Sequence, residues 1–423
     1  MKRTPAPRIV IVGAGVSGLA CGLHAVRLGA RVLLIDRARQ VGGRVATASR
    51  DGFLIDRGFQ ILLTAYPELT RLIDLDRLHL ARFPSGAMVH DGRGFRRVAH
   101  PLRHPIAAIG SWMSGLVSTR DALAMGRRAL RAKLRRPSAP IVLGRSVADG
   151  LVPDLSPPFV EGFLRSFFGG VFLDRSLDTD LGQFEFCLAM FAAGAAAVPR
   201  GGMAEIPRVL AADLPPGSLR LGTAVDRIGD GTVHLSDGTT ESADAIVVSV
   251  ESGESERLLE RPAASPRPWR STAMLAFDLP ESDAITPWLM LDGTGRGPVN
   301  HASFISRVSP NYAIRGRGLL YANIVDEAML RSSDEDLERA ARRQLQGWFP
   351  AADLAAWRRI DLVRISHALP RQHPEDLAGP RDVAVRPGVY RCGDHVGDAS
   401  LNGAMRSGRL AAEAAVASAG AAT

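Results

Sequence analysis

Lysine is nearly missing from this sequence: of its 52 basic residues only Lys2 and Lys133 are lysines, so the net charge of +8 rests on arginine. The arginines are spread along the chain without an aromatic-interleaved basic cluster, and nucleic-acid binding is therefore not expected. Cysteine is scarce too. Cys21, Cys187 and Cys392 stand far apart with no C-x-x-C pair, which argues against a zinc site or a disulfide framework, predicts no bound metal and fits a reducing, cytoplasmic setting. No apolar run approaches the roughly 18 residues that would suggest a membrane span. The longest, Phe186 to Pro199, is interrupted by Gly194 and reads as a buried helix. Met1 to Pro7 pass straight into a strand pattern, without the hydrophobic stretch and cleavage site of a signal peptide. What is present, 423 residues of which 46% are hydrophobic, is enough for two domains that each bury a core.

The amino-terminal segment is the most informative. Arg8 to Val12 form a continuous β-branched run of the kind that makes a central parallel strand. Gly13-Ala14-Gly15-Val16-Ser17-Gly18 follow as G-x-G-x-x-G, then a helical pattern to Leu28 and a second strand, Arg31 to Ile35, ending at Asp36. In that order the first glycine permits the tight turn, the second lets a pyrophosphate approach the backbone, and the third lets helix and strand pack closely. Amides at the helix start face the phosphate charge, while Asp36 at the strand end can accept hydrogen bonds from ribose hydroxyls, with Arg37 beside it. The motif alone serves NAD and FAD equally. Gly42-Gly43-Arg44 then offer a second close backbone approach with a guanidinium for pyrophosphate charge, which suits a long dinucleotide bound in extended form.

With Asp56-Arg57-Gly58-Phe59-Gln60 added, the sequence resembles the flavoprotein superfamily of amine oxidases, phytoene desaturases and protoporphyrinogen oxidases. The matching features are Gly13 to Gly18 with Asp36, Gly42 to Arg44, and the D-x-G segment, which in that superfamily runs beneath the flavin ring. Asp36 departs from the glutamate that is commoner there. The resemblance continues at the other end of the chain, where a short strand, Gly388 to Cys392, leads into Gly393-Asp394-His395 and then Leu401-Asn402-Gly403-Ala404 at the start of an alanine-rich helix. It implies that Gly393 and Asp394 meet the ribitol or pyrophosphate region of FAD and that Leu401 to Ala404 point at the pyrimidine edge of the ring, where the helix dipole favours the negative charge of reduced flavin. It also implies that the strand around Thr223-Ala224-Val225 meets the adenine through Val225, and that Pro199 to Met203 re-enter the nucleotide domain. Cys392, inside a strand, reads as a small buried hydrophobe, so the FAD is expected to be non-covalent.

The expected architecture is α/β: a doubly wound, Rossmann-type FAD-binding domain (residues 1–76, 199–265 and 386–423) with a discontinuous α+β substrate domain (77–198 and 266–385). No second dinucleotide motif occurs, so oxygen, a quinone or another carrier is the expected electron acceptor rather than NAD(P)H. Phe167 to Phe172 and Phe184 to Phe191 concentrate apolar side chains; they read as a plain helical core in preference to a greasy tunnel. Arg120 to Arg136 hold seven basic residues and one acid, interleaved with Leu123, Leu130 and Leu134. A helix of this composition can lie on an anionic membrane as a peripheral contact, or it is a solvated face in an arginine-rich protein.

No catalytic residue stands out, because the flavin itself accepts the hydride and no protein nucleophile is required. His301, Tyr312, His367 and His373 are open both to a role in substrate deprotonation and to ordinary surface or core roles. Amine-oxidising relatives commonly place a lysine near the ring, and neither lysine here is suitably located. Dehydrogenation of an apolar small molecule is therefore expected ahead of amine oxidation, of redox-neutral isomerisation on reduced FAD, or of a non-enzymatic prenyl-protein escort role on the same fold.

Overall fold

The computed structural model describes residues 6–99, 115–135, 137–260, 268–281, 286–378 and 382–421. Its organising sheet has six strands. β1 (Arg8–Val12) lies between β2 (Arg31–Asp36) and the strand Ala245–Val248, all parallel. Leu219–Leu221 extends the sheet beyond β2, while Val389–Arg391 and the antiparallel Ala384–Arg386 extend it on the other side. The apolar sequence of β1 follows from this central place: Ile9, Val10 and Ile11 are fully buried, with neighbours on both faces.

Helix α1 (Val16–Arg27) follows β1 across the glycine turn. Two adjustments to the expected elements have local causes. The helix read over Phe186 to Pro199 ends at Ala193, and Ala196–Pro199 instead forms the centre of a small sheet between Leu62–Leu63 and Leu80–Arg82. Gly194 marks the break: a Cβ there would stand 2.7 Å from the Ala65 nitrogen. The strand expected at Thr223-Ala224-Val225 begins only at Val225 and runs to Ile228.

A seven-stranded sheet joins two stretches distant in sequence. Its order is Arg358–Pro370, Trp269–Pro280, Arg317–Ile324, Val299–Phe304, Leu289–Asp292, Gly86–His90 and Phe95–Ala99. Beside it lies a helical cluster that includes α2 (Thr119–Arg135), α3 (Arg165–Phe172) and α4 (Leu181–Ala193), sharing a core of Phe168, Phe184, Leu164 and Leu181. The chain ends in α5 (Leu401–Ala421), whose Gly408 sits where a Cβ would come within 2.3 Å of the Ser17 carbonyl on α1. The first and last helices of the sequence are thereby held backbone to backbone.

Candidate cofactor and active site

A cavity of about 980 Å³ runs between the two large sheets, at the upper end of the range for ligand pockets. At one end it is lined by Gly13, Gly15, Val16 and Ser17 of the first turn, by Asp36 and Arg37, by Gly42, Gly43 and Arg44, by Gly58, Phe59 and Gln60, by Val225, and by Gly393, Asp394, Leu401 and Ala404. Residues from both ends of the sequence thus share one wall.

The glycine turn makes room for a ligand at one specific position. Gly13 (φ +108°) and Gly18 serve the fold: a Cβ on Gly13 would lie 2.4 Å from the Ser249 carbonyl, and one on Gly18 would lie 2.0 Å from the Gly13 carbonyl. Gly18 accordingly does not line the cavity; it lets α1 sit tight against the turn. A Cβ on Gly15 would meet no protein atom within 4 Å. No side chain caps α1 and its first turn carries no acid, so the positive helix end is left for an anion. The Gly42 N–H donates to the Ala14 carbonyl (2.8 Å), and Gly43 approaches Gly15 so closely that a Cβ would stand 3.5 Å from its Cα. The two glycine segments form one cradle, open at Gly15.

Around it the polar groups brace one another. The Asp36 carboxylate accepts from the Ala14 N–H (2.7 Å) and the Ala38 N–H (2.8 Å), which fixes it at the cavity wall. Arg44 pairs with Asp394, donates to the Ala368 carbonyl (3.0 Å) and lies over the Trp269 ring. Gln60 donates to the carbonyls of Arg44 and Arg57, tying the D-x-G segment to the G-G-R turn. Asp56 does not line the cavity. It accepts from Thr47, from the Met203 N–H (2.9 Å) and from the Tyr312 hydroxyl (2.8 Å), clamping three segments behind the site.

Burial lifts the Asp56 carboxyl to about 6, against the pull of those hydrogen bonds. The folded state therefore holds this proton more tightly than the unfolded chain does, so the stabilising contribution is complete below about pH 4 and is lost as the pH rises through about 6. Asp56→Asn should flatten the decline in melting temperature across that window. An equally steep decline in the variant would mean that the carboxyl titrates normally.

Two of the residues expected at the cofactor, Asn402 and Gly403, are not on the cavity wall. The side chain of Asn402 turns away from the cavity, accepting from the Glu68 N–H (3.1 Å) and donating to the Ser138 carbonyl (3.2 Å). Gly403 is pressed against Asp398, whose carbonyl oxygen would stand 2.0 Å from a Cβ. Helix geometry is the reason: Leu401 and Ala404, three apart, share the cavity face, and the residues between them point elsewhere. Asp398 was missed by the sequence reading. It lines the cavity, is buried, and its Oδ1 meets no protein partner; only the repeated Gly-Asp at 393–394 and 397–398 hinted at it.

The phenylalanine-rich segments form a helical core, as expected, and also line the cavity. Phe167 and Val171 of α3, with Phe186, Cys187 and Phe191 of α4, form its wall, while Phe168 and Phe184 on the opposite faces make the core. Cys392 is fully buried and does not line the cavity; its thiol neighbours that of Cys21. Among the described residues Lys133 is the only lysine, exposed on α2 and away from the cavity; Lys2 lies outside the described residues.

The four titratable candidates separate clearly. Tyr312 is buried against Asp56 and His373 caps the short helix Pro374–Leu377, so neither reaches the cavity. His367 stacks on Trp269 and pairs with Glu251 at the cavity wall. His301 lines the interior, its ring edge-on to Phe59. Asn300 Oδ1 accepts from Arg175 (2.8 Å), so its amide nitrogen faces His301 Nδ1 (3.0 Å) and the proton of the neutral ring falls on Nε2, which has no protein partner. Burial holds this imidazole down at about 3, which makes it a poor base and a steady hydrogen-bond donor.

With the cradle and the cavity defined, comparison with known proteins is decisive. The profile of the flavin-containing amine oxidoreductases matches residues 16–416. The chain belongs to this family. It is 27% identical to coproporphyrinogen III oxidase of Propionibacterium freudenreichii subsp. freudenreichii, over 69% of this chain and 67% of that protein. To phytoene dehydrogenase of Streptomyces griseus it is 28% identical over 63% of this chain and 58% of the relative, which is less than two thirds of that protein. An oxidoreductase from Methanosarcina mazei has the same fold, with a TM-score of 0.74 at 17% identity, covering 95% of this chain and 98% of that one. As a flavin-containing amine oxidoreductase the chain is an FAD-dependent oxidoreductase, and the open, uncapped glycine cradle is compatible with a dinucleotide of that kind. When bound, the flavin supplies a two-electron acceptor for hydride. No helix among the described residues is long and apolar enough to cross a membrane.

Proposed function

We propose that this flavoprotein dehydrogenates an apolar small molecule held against the α3–α4 wall, in the manner of the phytoene desaturase and protoporphyrinogen oxidase branch of its family. The observation that carries this reading is the continuity of one cavity from the glycine cradle to Phe167, Phe186 and Phe191. The FAD pyrophosphate is assigned to Gly13–Ser17 and Gly42–Arg44, the ribose to Asp36 with Arg37 alongside, the adenine to Val225, and the flavin to Gly58–Gln60, Gly393, Asp394, Leu401 and Ala404. Cys392 lies off the cavity wall, which disfavours a thioether to this cysteine; FAD held without a covalent bond is the reading, and acid precipitation of the protein should release all of the colour. Flavin remaining in the pellet would contradict this.

The roles of the chain's own residues are to bind, to orient and to exclude water. The phenylalanine wall desolvates the substrate, which places its C–H bond in a dry site. His301, with Nε2–H unspent, orients a substrate acceptor group. Among the described residues no lysine lines the cavity, which disfavours amine oxidation. Oxygen or a quinone is proposed to take up the electrons afterwards. Anaerobic mixing with polyenes, porphyrinogens and amines tests the proposal: bleaching of flavin absorbance is expected with a polyene or porphyrinogen and not with amines. Bleaching by amines alone would overturn it, and turnover without net bleaching or acceptor consumption would indicate isomerisation. Reoxidation by air against a quinone then identifies the acceptor.

A further inference from the structure

A buried polar atom without a partner is uncommon in a folded protein, and one that borders a cavity points to what the cavity holds. Among the described residues, His301 Nε2 and Asp398 Oδ1 are two such atoms, and both residues line the large cavity. They are 3% and 4% exposed. The second oxygen of Asp398 accepts from the Ser400 hydroxyl.

His301 is built as a donor. Asn300 beside it is clamped on both sides: Oδ1 accepts from Arg175 (2.8 Å), and its amide nitrogen donates to the Ser166 carbonyl (2.9 Å). The same nitrogen lies 3.0 Å from His301 Nδ1, which is thereby left only the acceptor role. Gly170 of α3 makes room for the ring, since a Cβ there would stand 2.8 Å from Nδ1. The remaining position, Nε2–H, is a donor in a fixed frame, and burial keeps the ring neutral.

The surroundings add hydrogen-bonding groups but no free positive charge. Among the described residues on the cavity wall, Arg44 pairs with Asp394, Arg257 with Glu254 and Arg364 with Asp334, while Arg37 and Arg57 are exposed. His367 and His395 lie against Glu251 and Asp394. Gln183, Asn323 and Gln372, buried on the same wall, are neutral amides. A carboxylate drawn into the chamber would give up its water for one neutral imidazole, with the Asp398 carboxyl on the same wall, and a single neutral hydrogen bond does not offset that loss. A pure hydrocarbon would leave the Nε2–H without a partner. A carbonyl or hydroxyl oxygen satisfies it without bringing a charge inside.

We infer that the substrate is a neutral, largely apolar molecule bearing a carbonyl or hydroxyl oxygen that accepts from His301 Nε2–H. Asn300 and Arg175 act through the ring as positioning residues. The inference rests on the proposed reading of an apolar substrate against the α3–α4 wall and narrows it to one chemical class.

Four retinoids with one polyene body test it: retinal, retinol, retinoate, and axerophthene, the hydrocarbon in which a methyl group ends the chain. Each is titrated under nitrogen into the full-length holoprotein at pH 8, and the dissociation constant is read from the change in the flavin absorption band. Retinal and retinol are expected to bind on the order of tenfold more tightly than retinoate. His301→Leu should weaken retinal and retinol about tenfold and leave axerophthene unchanged. His301→Gln, whose terminal amide carries an N–H in place of Nε2–H, should recover most of the loss, which a purely structural role for the ring would not give. Flavin content and melting temperature report the cofactor site and the fold of each variant. If His301→Leu does not fold, the retinoate comparison and His301→Gln decide the matter. Retinoate binding as tightly as retinal, or a leucine variant that loses retinal and axerophthene equally, would overturn the inference and leave the apolar-substrate reading standing. Failure of all four to bind would overturn both.

Discussion

Gly15→Asp should give a folded, colourless protein. The position has an ordinary backbone conformation, with φ −70°, and a Cβ there meets no protein atom within 4 Å, so the apoprotein should keep its stability to within about 0.5 kcal/mol. The open space is that assigned to the FAD pyrophosphate. A carboxylate placed in it both fills the cradle and sets like charge against the phosphates at the positive end of α1, reversing the favourable term that the helix supplies. Affinity for FAD should fall on the order of 100-fold or more. The check is a flavin titration of apoprotein followed by fluorescence, with circular dichroism and thermal melting for the fold. A Gly15→Asp protein that purifies with a full complement of FAD would show that the pyrophosphate lies elsewhere. Gly18→Ala should fail differently: its Cβ would come within 2.0 Å of the Gly13 carbonyl, so the fold loosens before the cofactor is lost.

Arg409→Leu should be among the most destabilising single changes outside the cavity. Glu68 is fully buried, and Arg409 of α5 donates to its carboxylate through Nε and Nη2, each at 3.0 Å. Removing the guanidinium leaves the buried carboxylate only the longer pair with Arg71 (3.9 Å), and the loss should approach the roughly 3–5 kcal/mol of a broken buried pair. Replacing both partners, in Arg409→Leu/Glu68→Leu, should recover much of that loss, because the penalty belongs to the unpaired charge and not to the absence of the pair. Denaturant unfolding of the two variants against wild type measures this. A single variant that loses under about 1 kcal/mol would mean that water reaches Glu68 after all.

The cradle was legible in the sequence because its signals are local. The order strand, glycine turn, helix, strand and terminal acid is written in consecutive residues, and each glycine has a steric duty within its own few neighbours. Gly13, Gly15, Gly42 and Asp36 stand where that order placed them. The chamber was not legible. α4 is mostly apolar, and its polar residues Gln183 and Glu185, two apart, fall on opposite sides, so its sequence has no single polar face from which to decide which side borders a void and which packs on Phe168. Asn402 shows the same gap on a smaller scale. Its neighbours Leu401 and Ala404 do reach the cavity, but which residues of a helix start turn inward depends on how α5 is rotated against Glu68 and the 138–145 loop.

His301 marks the limit from the other direction. Nothing near it in sequence distinguishes it from His373, yet one lies in the interior and the other caps a surface helix. Its tautomer is set by a chain from Arg175 through Asn300, residues brought together from positions 125 apart. By itself, then, the amino-acid order determined the nucleotide-type fold, the glycine cradle and the class of chemistry, since these rest on short-range backbone geometry. Only the tertiary structure decided which apolar faces enclose empty space, which polar groups remain unspent inside it, and that α2 shows leucines to the outside, because burial is a property of what each surface meets across the chain.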